Sequence, residues 1–593
     1  MRKFRIAVAL TVFCLVSAKF FDVYSALPKS YYMYFNPIST QFAPSLLKMM
    51  AYASLTAGAA FVTFTLLALL FGRAYCSFFC LFGILMDIIR KAAVIPAKIG
   101  FLKKTKAGKF CQKNFATQKF AKAKNIARAS FLAIAAISIV FGYASLFGLI
   151  EPYSLYGKIM GGVVHPAACL AVNETSRILY SFEIFSVRPV NGDPTIPLAA
   201  FAVALFILAA IAAAAAFRGR IFCNTICPVG TFLGFFANFS LFKISIDKGK
   251  CVSCGMCERL CKSQCIDSKN KTVDFSRCVL CFDCAGVCNK NAVGFVLNRK
   301  YVKSTNAEKT AQGKDTAATE KPPCGFSASR RSLPKLALGL SALFCLAAKK
   351  ECGKGKGLGL GKRGDCKNPP SEDATPFSIE GDRPDKRLTM PPGAQNMENF
   401  LEHCSACQMC TAACKAHILK PSLGELGLAG FMQPYMDFQK GYCIHNCHEC
   451  SKVCPTGAIK FIGGKEKRHT KIGTAIFRKG LCVVKTDGTD CAACAEHCPV
   501  HAIEMLPFGK KEDSLYIPHV HSEVCIGCGA CEFICPVRPH KAIVVQGIKK
   551  HAKAVVFEES MRLYKPEEKA AKEADGAKGA KPSASPATND FPF

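Results

Sequence analysis

Four apolar runs punctuate the first part of the chain, at residues 6–26, 49–71, about 129–150 and 197–217. Each reaches the length of about 20 residues that crosses a bilayer as a helix. The last three carry no charge beyond their edges, which a helix buried in a soluble core rarely sustains. The first contains Lys19 and Asp22 and follows Met1-Arg2-Lys3-Phe4-Arg5, the layout of a signal peptide. No small-residue cleavage site stands out after it, so it reads as an uncleaved first helix. The pattern predicts an α-helical membrane domain of about four spans over residues 1–245.

Charge orients those spans. The segment 72–128 carries thirteen Lys/Arg and one acidic residue, Asp87, whereas 151–196 has Lys158, Arg177 and Arg188 against four acidic residues. By the positive-inside rule the first loop is cytoplasmic and the second faces outward. The N-terminus and everything just after residue 217 then lie inside, in a bacterial cytoplasmic (inner) membrane.

The pattern changes after the last span. Residues 246–298 and 401–546 are cysteine-rich segments whose short elements suit small α+β domains. Between them, 299–400 is a linker rich in Lys, Gly, Pro, Ser and Thr with little periodicity. Within it Ser329-Arg330-Arg331-Ser332-Leu333-Pro334-Lys335 precedes an apolar stretch, and 327–348 resembles a twin-arginine export signal. That would place the segment after it, 401–546, in the periplasm. Residues 547–593 read as a mostly disordered tail rich in Lys, Glu, Ala and Pro.

Composition sharpens the chemistry. The chain has 593 residues, 77 Lys+Arg against 42 Asp+Glu, no Trp and 36 Cys. That size excludes a small disulfide-stapled secreted domain, and that cysteine content excludes an ordinary cytosolic enzyme. Twenty-eight of the cysteines fall in short-spaced groups, leaving Cys14, Cys111, Cys169, Cys265, Cys324, Cys345, Cys352 and Cys366 single. The basic runs lie in linkers and inner loops without interleaved aromatics, so nucleic acid is not expected as a partner.

Cys251, Cys254, Cys257 and Cys261 form a C-x2-C-x2-C-x3-C run, repeated by Cys278, Cys281, Cys284 and Cys288. This is the spacing of a two-cluster bacterial ferredoxin, in which three thiolates hold one cubane and the fourth crosses to its neighbour. Crossed pairing assigns Cys251, Cys254, Cys257 and Cys288 to one 4Fe–4S cluster, and Cys278, Cys281, Cys284 and Cys261 to the next. Lys262 and Asn289 stand where such ferredoxins usually have Pro, and Cys265 lies close enough to compete with Cys261. A zinc ribbon needs paired cysteines and fits two four-Cys runs badly.

Four further runs follow. Pairing in the same way gives Cys404, Cys407, Cys410 and Cys454; Cys443, Cys447, Cys450 and Cys414; Cys482, Cys491, Cys494 and Cys535; and Cys525, Cys528, Cys531 and Cys498. The expectation is six 4Fe–4S clusters. Each would add about two negative charges with its four thiolates, offsetting much of the formal +35. His403, His445, His448 and His497 flank these cysteines and read as tuning or solvating groups. There is no C-x-x-C-H for covalent haem and no phosphate-binding G-x-x-x-x-G-K-[ST]. Gly359, Gly361 and Gly364 match G-x-G-x-x-G only inside the linker, which leaves nicotinamide or flavin without support.

One repeat lies in the membrane domain. Gly72-Arg73-Ala74-Tyr75-Cys76-Ser77-Phe78-Phe79-Cys80 recurs as Gly219-Arg220-Ile221-Phe222-Cys223-Asn224-Thr225-Ile226-Cys227, with Gly83 and Gly230 three residues on. Two matches to G-R-x-aromatic-C-x3-C-x2-G at the ends of the second and fourth runs argue for a duplicated unit. On a helix the paired cysteines, four apart, would share a face, which suits metal binding, a disulfide or packing alike.

On these motifs, residues 1–298 resemble NapH, the membrane ferredoxin of periplasmic nitrate reductase systems, and residues 327–546 resemble NapG, an exported four-cluster ferredoxin. NosR and CcoG share the membrane part, although Leu81 follows Cys80 where that family motif usually has Pro; Pro228 after Cys227 keeps it. The resemblance implies quinol oxidation, with electrons delivered through the clusters to a partner reductase or cytochrome. Glu151-Pro152-Tyr153 at the outer end of the third run offers Glu151 as a quinol-proton acceptor, and no catalytic acid/base or nucleophile set is expected. The alternative implied by the CcoG likeness is a copper reductase or assembly factor working through Cys76, Cys80, Cys223 and Cys227.

Overall fold

Helices α1 (Arg2–Phe21), α2 (Leu55–Phe71), α3 (Asn125–Val140) and α4 (Leu198–Arg218) frame the N-terminal half. They are seen in a computed structural model that describes residues 1–24, 41–99, 105–115, 117–190, 196–298, 388–508 and 515–555. Large apolar side chains such as Leu66, Ile134, Leu198 and Phe206 are exposed along them. A belt of this kind is costly in water and suits a lipid surround.

Span lengths depart from the sequence expectation. Among the described residues, three helices are long and apolar enough to cross a membrane: Arg2–Phe21, Pro152–Ser181 and Leu198–Arg218. The second run breaks at Ala53, whose φ of 48° is left-handed, and folds as a hairpin of helix Phe42–Tyr52 against α2. The third run stops at Val140, before a left-handed Gly142 and a separate turn at Ala144–Phe147. At 1.5 Å per residue, α2 with 17 residues and α3 with 16 are about 25 Å long, a little less than a bilayer core.

The helix of residues 152–181 occupies the segment read as an outer loop. Its polar and breaking residues, Lys158, Gly161, Gly162, Pro166 and Glu174, hid it from an apolar-run reading. It starts where the Glu151 side chain accepts from the backbone N–H of Tyr153 and Ser154, with Pro152 at the first helical position. It passes through one π-turn at Met160–Val164.

Each cysteine-rich module is closed by an antiparallel strand pair. In the first, β1 (Phe242–Ile246) pairs with β2 (Val293–Leu297), bringing together the two ends of the segment that holds both runs. In the second, β3 (Thr470–Phe477) pairs with β4 (Ile543–Lys553) around the last two runs. The twin-arginine-like segment 327–348 and the tail beyond residue 555 lie outside the described residues.

The modules cap opposite ends of the helix frame. At one end, a Cβ on Gly72 (φ 75°) would fall 2.6 Å from Phe275, Arg128 Nη1 donates to Ser276 Oγ at 3.1 Å, and Arg2 pairs with Asp283 at 3.0 Å. At the other, Tyr52 Oη donates to Gly457 O at 2.7 Å, Ser145 Oγ to Ala429 O at 2.6 Å, and α1 packs on helix Met409–Ala413. The frame helices therefore run from the 246–298 module to the 388–555 module.

Candidate metal centres

The four C-x2-C-x2-C runs share one backbone. The residues on either side of the second cysteine have positive φ: Ser253 and Gly255, Leu280 and Phe282, Ala406 and Gln408, Gly527 and Gly529. Alternation of right- and left-handed residues curls successive N–H groups toward one point, an anion-binding nest. Thiol sulfurs also accept backbone N–H bonds, from Ala292 to Cys288 at 3.3 Å and from Ala502 to Cys498 at 3.2 Å.

The fold gathers the cysteines in the sets that crossed pairing assigns. Cys251, Cys254, Cys257 and Cys288 line a cavity of about 190 Å³. Cys482, Cys491, Cys494 and Cys535 line a second, and Cys498, Cys525, Cys528 and Cys531 a third. Cys404, Cys407 and Cys454 surround Cys410, and Cys414, Cys443 and Cys447 surround Cys450. Cys261, Cys278 and Cys281 surround Cys284. Cys265 joins that last set, its sulfur 3.6 Å from that of Cys261.

Burial and then the neighbouring sulfurs push the Cys494 thiol up to about 12, and burial does the same to Cys407 and Cys528. Thiolates in such pockets require a strongly electropositive occupant. Among the described residues no three ligating groups converge tightly enough for a single ion. Four gathered thiols, with a nest of N–H groups in four of the runs, fit an iron–sulfur cluster, which spaces its ligands more widely. The flanking histidines turn to backbone instead: His403 to Asn399 O at 2.9 Å and His497 to Ala493 O at 3.1 Å.

Lys262, in the usual place of a Pro, joins the first module to the membrane domain. Its ammonium meets Asp87 at 2.6 Å and Asp283 at 3.4 Å, and its carbonyl accepts the Arg220 N–H at 2.9 Å. Asp87 also takes Arg220 at 2.8 Å and Arg5 at 3.6 Å. These anchors were missed in the sequence, although the paired Gly-Arg of the repeat pointed to two of them.

Cys76, Cys80, Cys223 and Cys227 are all buried, and they lie within electrostatic range of one another. They do not share a helical face as the spacing implied. Cys76 sits in the short helix Tyr75–Phe78, while Cys80 precedes the next helix, Leu81–Lys98, and Cys223 and Cys227 repeat the arrangement. Leu81 in place of Pro changes little, since Cys80 and Cys227 have similar ψ of 106° and 115°. Glu151 is buried with its two carboxylate oxygens on the N–H groups of Tyr153 and Ser154. That gives it a structural task as a helix cap.

A family model for a 4Fe–4S dicluster domain matches residues 489–538, and one for a 4Fe–4S binding domain matches 54–104 and 200–247. The chain is 44% identical over 87 residues to an uncharacterized protein of Methanocaldococcus jannaschii, covering 15% of this chain and only about a third of that protein. It is 29% identical to the ferredoxin-type protein NapF of Escherichia coli K12, over 27% of this chain and 86% of NapF. It is 33% identical to the methylamine utilization ferredoxin-type protein MauM of Paracoccus denitrificans, over 27% of this chain and 72% of MauM. No solved structure matches. With its 4Fe–4S domains and these relatives, the chain belongs to the MauM family of ferredoxin-type iron–sulfur electron-transfer proteins.

Proposed function

We propose that the protein is a NapH–NapG-like membrane electron carrier that takes electrons from a quinol and passes them through six 4Fe–4S clusters to a partner reductase or cytochrome. One observation carries this reading: the two cysteine-rich modules sit at opposite ends of one frame of apolar helices. With the basic loop inside, the 246–298 module is cytoplasmic and the 388–555 module is on the periplasmic side. The clusters, once bound, supply one-electron carriers. The chain holds them, excludes water from them and sets their potentials through buried charge and N–H donors.

The quinol site is proposed at an apolar cavity of about 50 Å³ walled by Phe42, Phe61, Leu132, Pro228 and Phe232. Behind its Phe42 wall, Tyr75 Oη accepts the Phe42 N–H and donates to Gln41 Oε1, each at 3.1 Å. Glu151 is committed to its helix cap, so the Tyr75 hydroxyl is the proposed partner of a quinol oxygen. The test is anaerobic addition of duroquinol to the purified full chain, following cluster absorbance and electron paramagnetic resonance. Duroquinol-dependent reduction that Tyr75→Phe slows is expected; reduction by dithionite but never by a quinol would defeat the proposal.

A second reading, a CcoG-like copper reductase or assembly factor, draws on Met86, whose Sδ lies 3.9 Å from Cys223 Sγ. Soft sulfur pairs suit cuprous copper. Cuprous binding that disappears in Met86→Leu would support it.

A further inference from the structure

The four cysteines of the membrane repeat lie between the module at one end and the helix under the other. Each half of the repeat supplies only two of them, so neither half can hold a cluster alone. The halves are joined by a pseudo-two-fold exchange of arginines. Arg73 Nη2 donates to Cys223 O at 2.8 Å, and Arg220 Nη1 donates to Cys76 O at 2.5 Å. Gly83 and Gly230 make room for the exchange. A Cβ on Gly83 would sit 2.7 Å from Cys76 O and 3.1 Å from Arg220, and one on Gly230 would sit 2.5 Å from Arg73. Gly230 N–H donates to Cys227 Sγ at 3.2 Å, and Gly83 N–H serves Cys80 in the same way. The Arg, Cys and last Gly positions of the repeat thus meet at one junction between the halves.

Charge indicates what the pocket holds. Arg73 is fully buried, its other partners are Asn224 Oδ1 at 2.8 Å and Ser276 O at 3.3 Å, and its Nε has no partner. Among the described residues no carboxylate pairs with it. Among the described residues, the buried cations Arg5, Arg73, Arg220 and Lys262 have only Asp87 and Asp283 as ion-pair partners. A buried cation excess is costly unless an anion is present. A four-thiolate iron–sulfur cluster carries about two negative charges and would supply it.

We infer that Cys76, Cys80, Cys223 and Cys227 together hold one further iron–sulfur cluster, shared by both halves of the repeat, which relays electrons between the two ferredoxin modules. The inference rests on the electron-carrier reading above and extends it to the path through the membrane. On one side Ser77 Oγ reaches Leu280 O, beside Cys281. On the other, Tyr75 lies in range of both Cys80 and Glu151, and Tyr153 in range of Glu151, Cys407 and Cys454. The step is a single-electron exchange: the shared cluster gains one electron from the neighbouring cluster on one side and loses it to the neighbour on the other. No bond is made or broken.

The experiment uses the full chain, purified without oxygen and placed in liposomes, with dithionite added on one side only. Mössbauer spectra count the clusters, and electron paramagnetic resonance follows those on the far side. The wild type is expected to hold more iron than six cubanes need and to reduce its far-side clusters. A variant with all four cysteines changed to Ala should lose that excess iron and the far-side reduction, while the six ferredoxin signals show that it has folded. Cys76→Ser and Cys227→Ser should keep the cluster with a shifted spectrum. Iron equal to six cubanes in the wild type, with or without copper, would overturn the inference, as would far-side reduction surviving in the four-Ala variant. Dithionite bypasses quinol, so a chain that relays from dithionite but ignores quinol defeats the proposed function and leaves the relay standing.

Discussion

Asp87→Asn should undock the first ferredoxin module while leaving its clusters intact. Asp87 receives Arg220 through Nε at 2.9 Å and Nη2 at 2.8 Å, Lys262 at 2.6 Å and Arg5 at 3.6 Å. Its side chain is 12% exposed, and those of its three partners between 1% and 7%. At an effective dielectric of about 20, a unit pair 4 Å apart attracts by about 4 kcal/mol before desolvation is subtracted. Removing one member of a buried pair costs about 3–5 kcal/mol, because the partners remain as uncompensated charge. That is roughly two to three and a half decades in the docking equilibrium. Hydrogen exchange of residues 246–298 in nanodiscs measures it directly. Asp247→Asn is the control: its pair with Lys250 spans 4.0 Å with both side chains more than half exposed, and its loss is worth at most about 1 kcal/mol. Adding Lys262→Met to Asp87→Asn should recover part of the loss, since it removes one of the stranded cations. Equal exchange protection in the Asp87 and Asp247 variants would refute the argument.

Three other outcomes are expected. Gly157→Ala places a Cβ against the Cys407 carbonyl oxygen, and overpacking of about 1–3 kcal/mol should loosen the 388–555 module. Protease digestion should speed up, and Gly424→Ala, where a Cβ meets nothing within 4 Å, should not change it. Lys158→Met removes a fully buried ammonium held by Gly148 O at 2.8 Å beside Cys404 and Cys407. The cluster bound there should become harder to reduce, its potential falling in a redox titration followed by electron paramagnetic resonance. Burial lowers the His551 imidazole from 6.5 to about 4, and neither ring nitrogen has a partner. The unfolded chain then binds the extra proton first, so stability is complete above about pH 6.5 and declines as pH falls toward 4; denaturant midpoints should show this slope, and His551→Leu should flatten it.

Crossed ligation is written in local spacing, and the fold brings the cysteines of those runs near one another. The spans were less legible. An apolar run records what lipid tolerates and not where a helix breaks, so the bend at Ala53 and the stop before Gly142 left no mark in hydropathy. The helix of residues 152–181 failed the opposite way. Much of it is covered by protein, where Lys158 and His165 can be buried beside partners. The repeat was visible, but its meaning was not. An Arg that reaches the carbonyl of the other half's cysteine is a contact 144 or 150 residues away in sequence.

Which ferredoxin run faces the membrane does leave a trace in sequence once the backbone is known. Every C-x2-C-x2-C run needs two left-handed residues around its second cysteine. For a residue with a side chain that conformation costs about 1–2 kcal/mol, and for Gly almost nothing. The run at 525–531 has Gly at both positions, Gly527 and Gly529, and the run at 251–257 has Gly255 at one. The two runs against the helix frame have none. Leu280 and Phe282 are buried, with Ser77 reaching the Leu280 carbonyl and Phe282 meeting Phe295 edge-on at 5.6 Å. Ala406 is buried beside Ala200 and Met432, and Gln408 donates to Met432 O and accepts from Thr411. At these four positions burial and hydrogen bonds offset the strain. A run with side chains at both left-handed positions therefore marks a docking face, and the two runs so marked are the ones against the helix frame at either end.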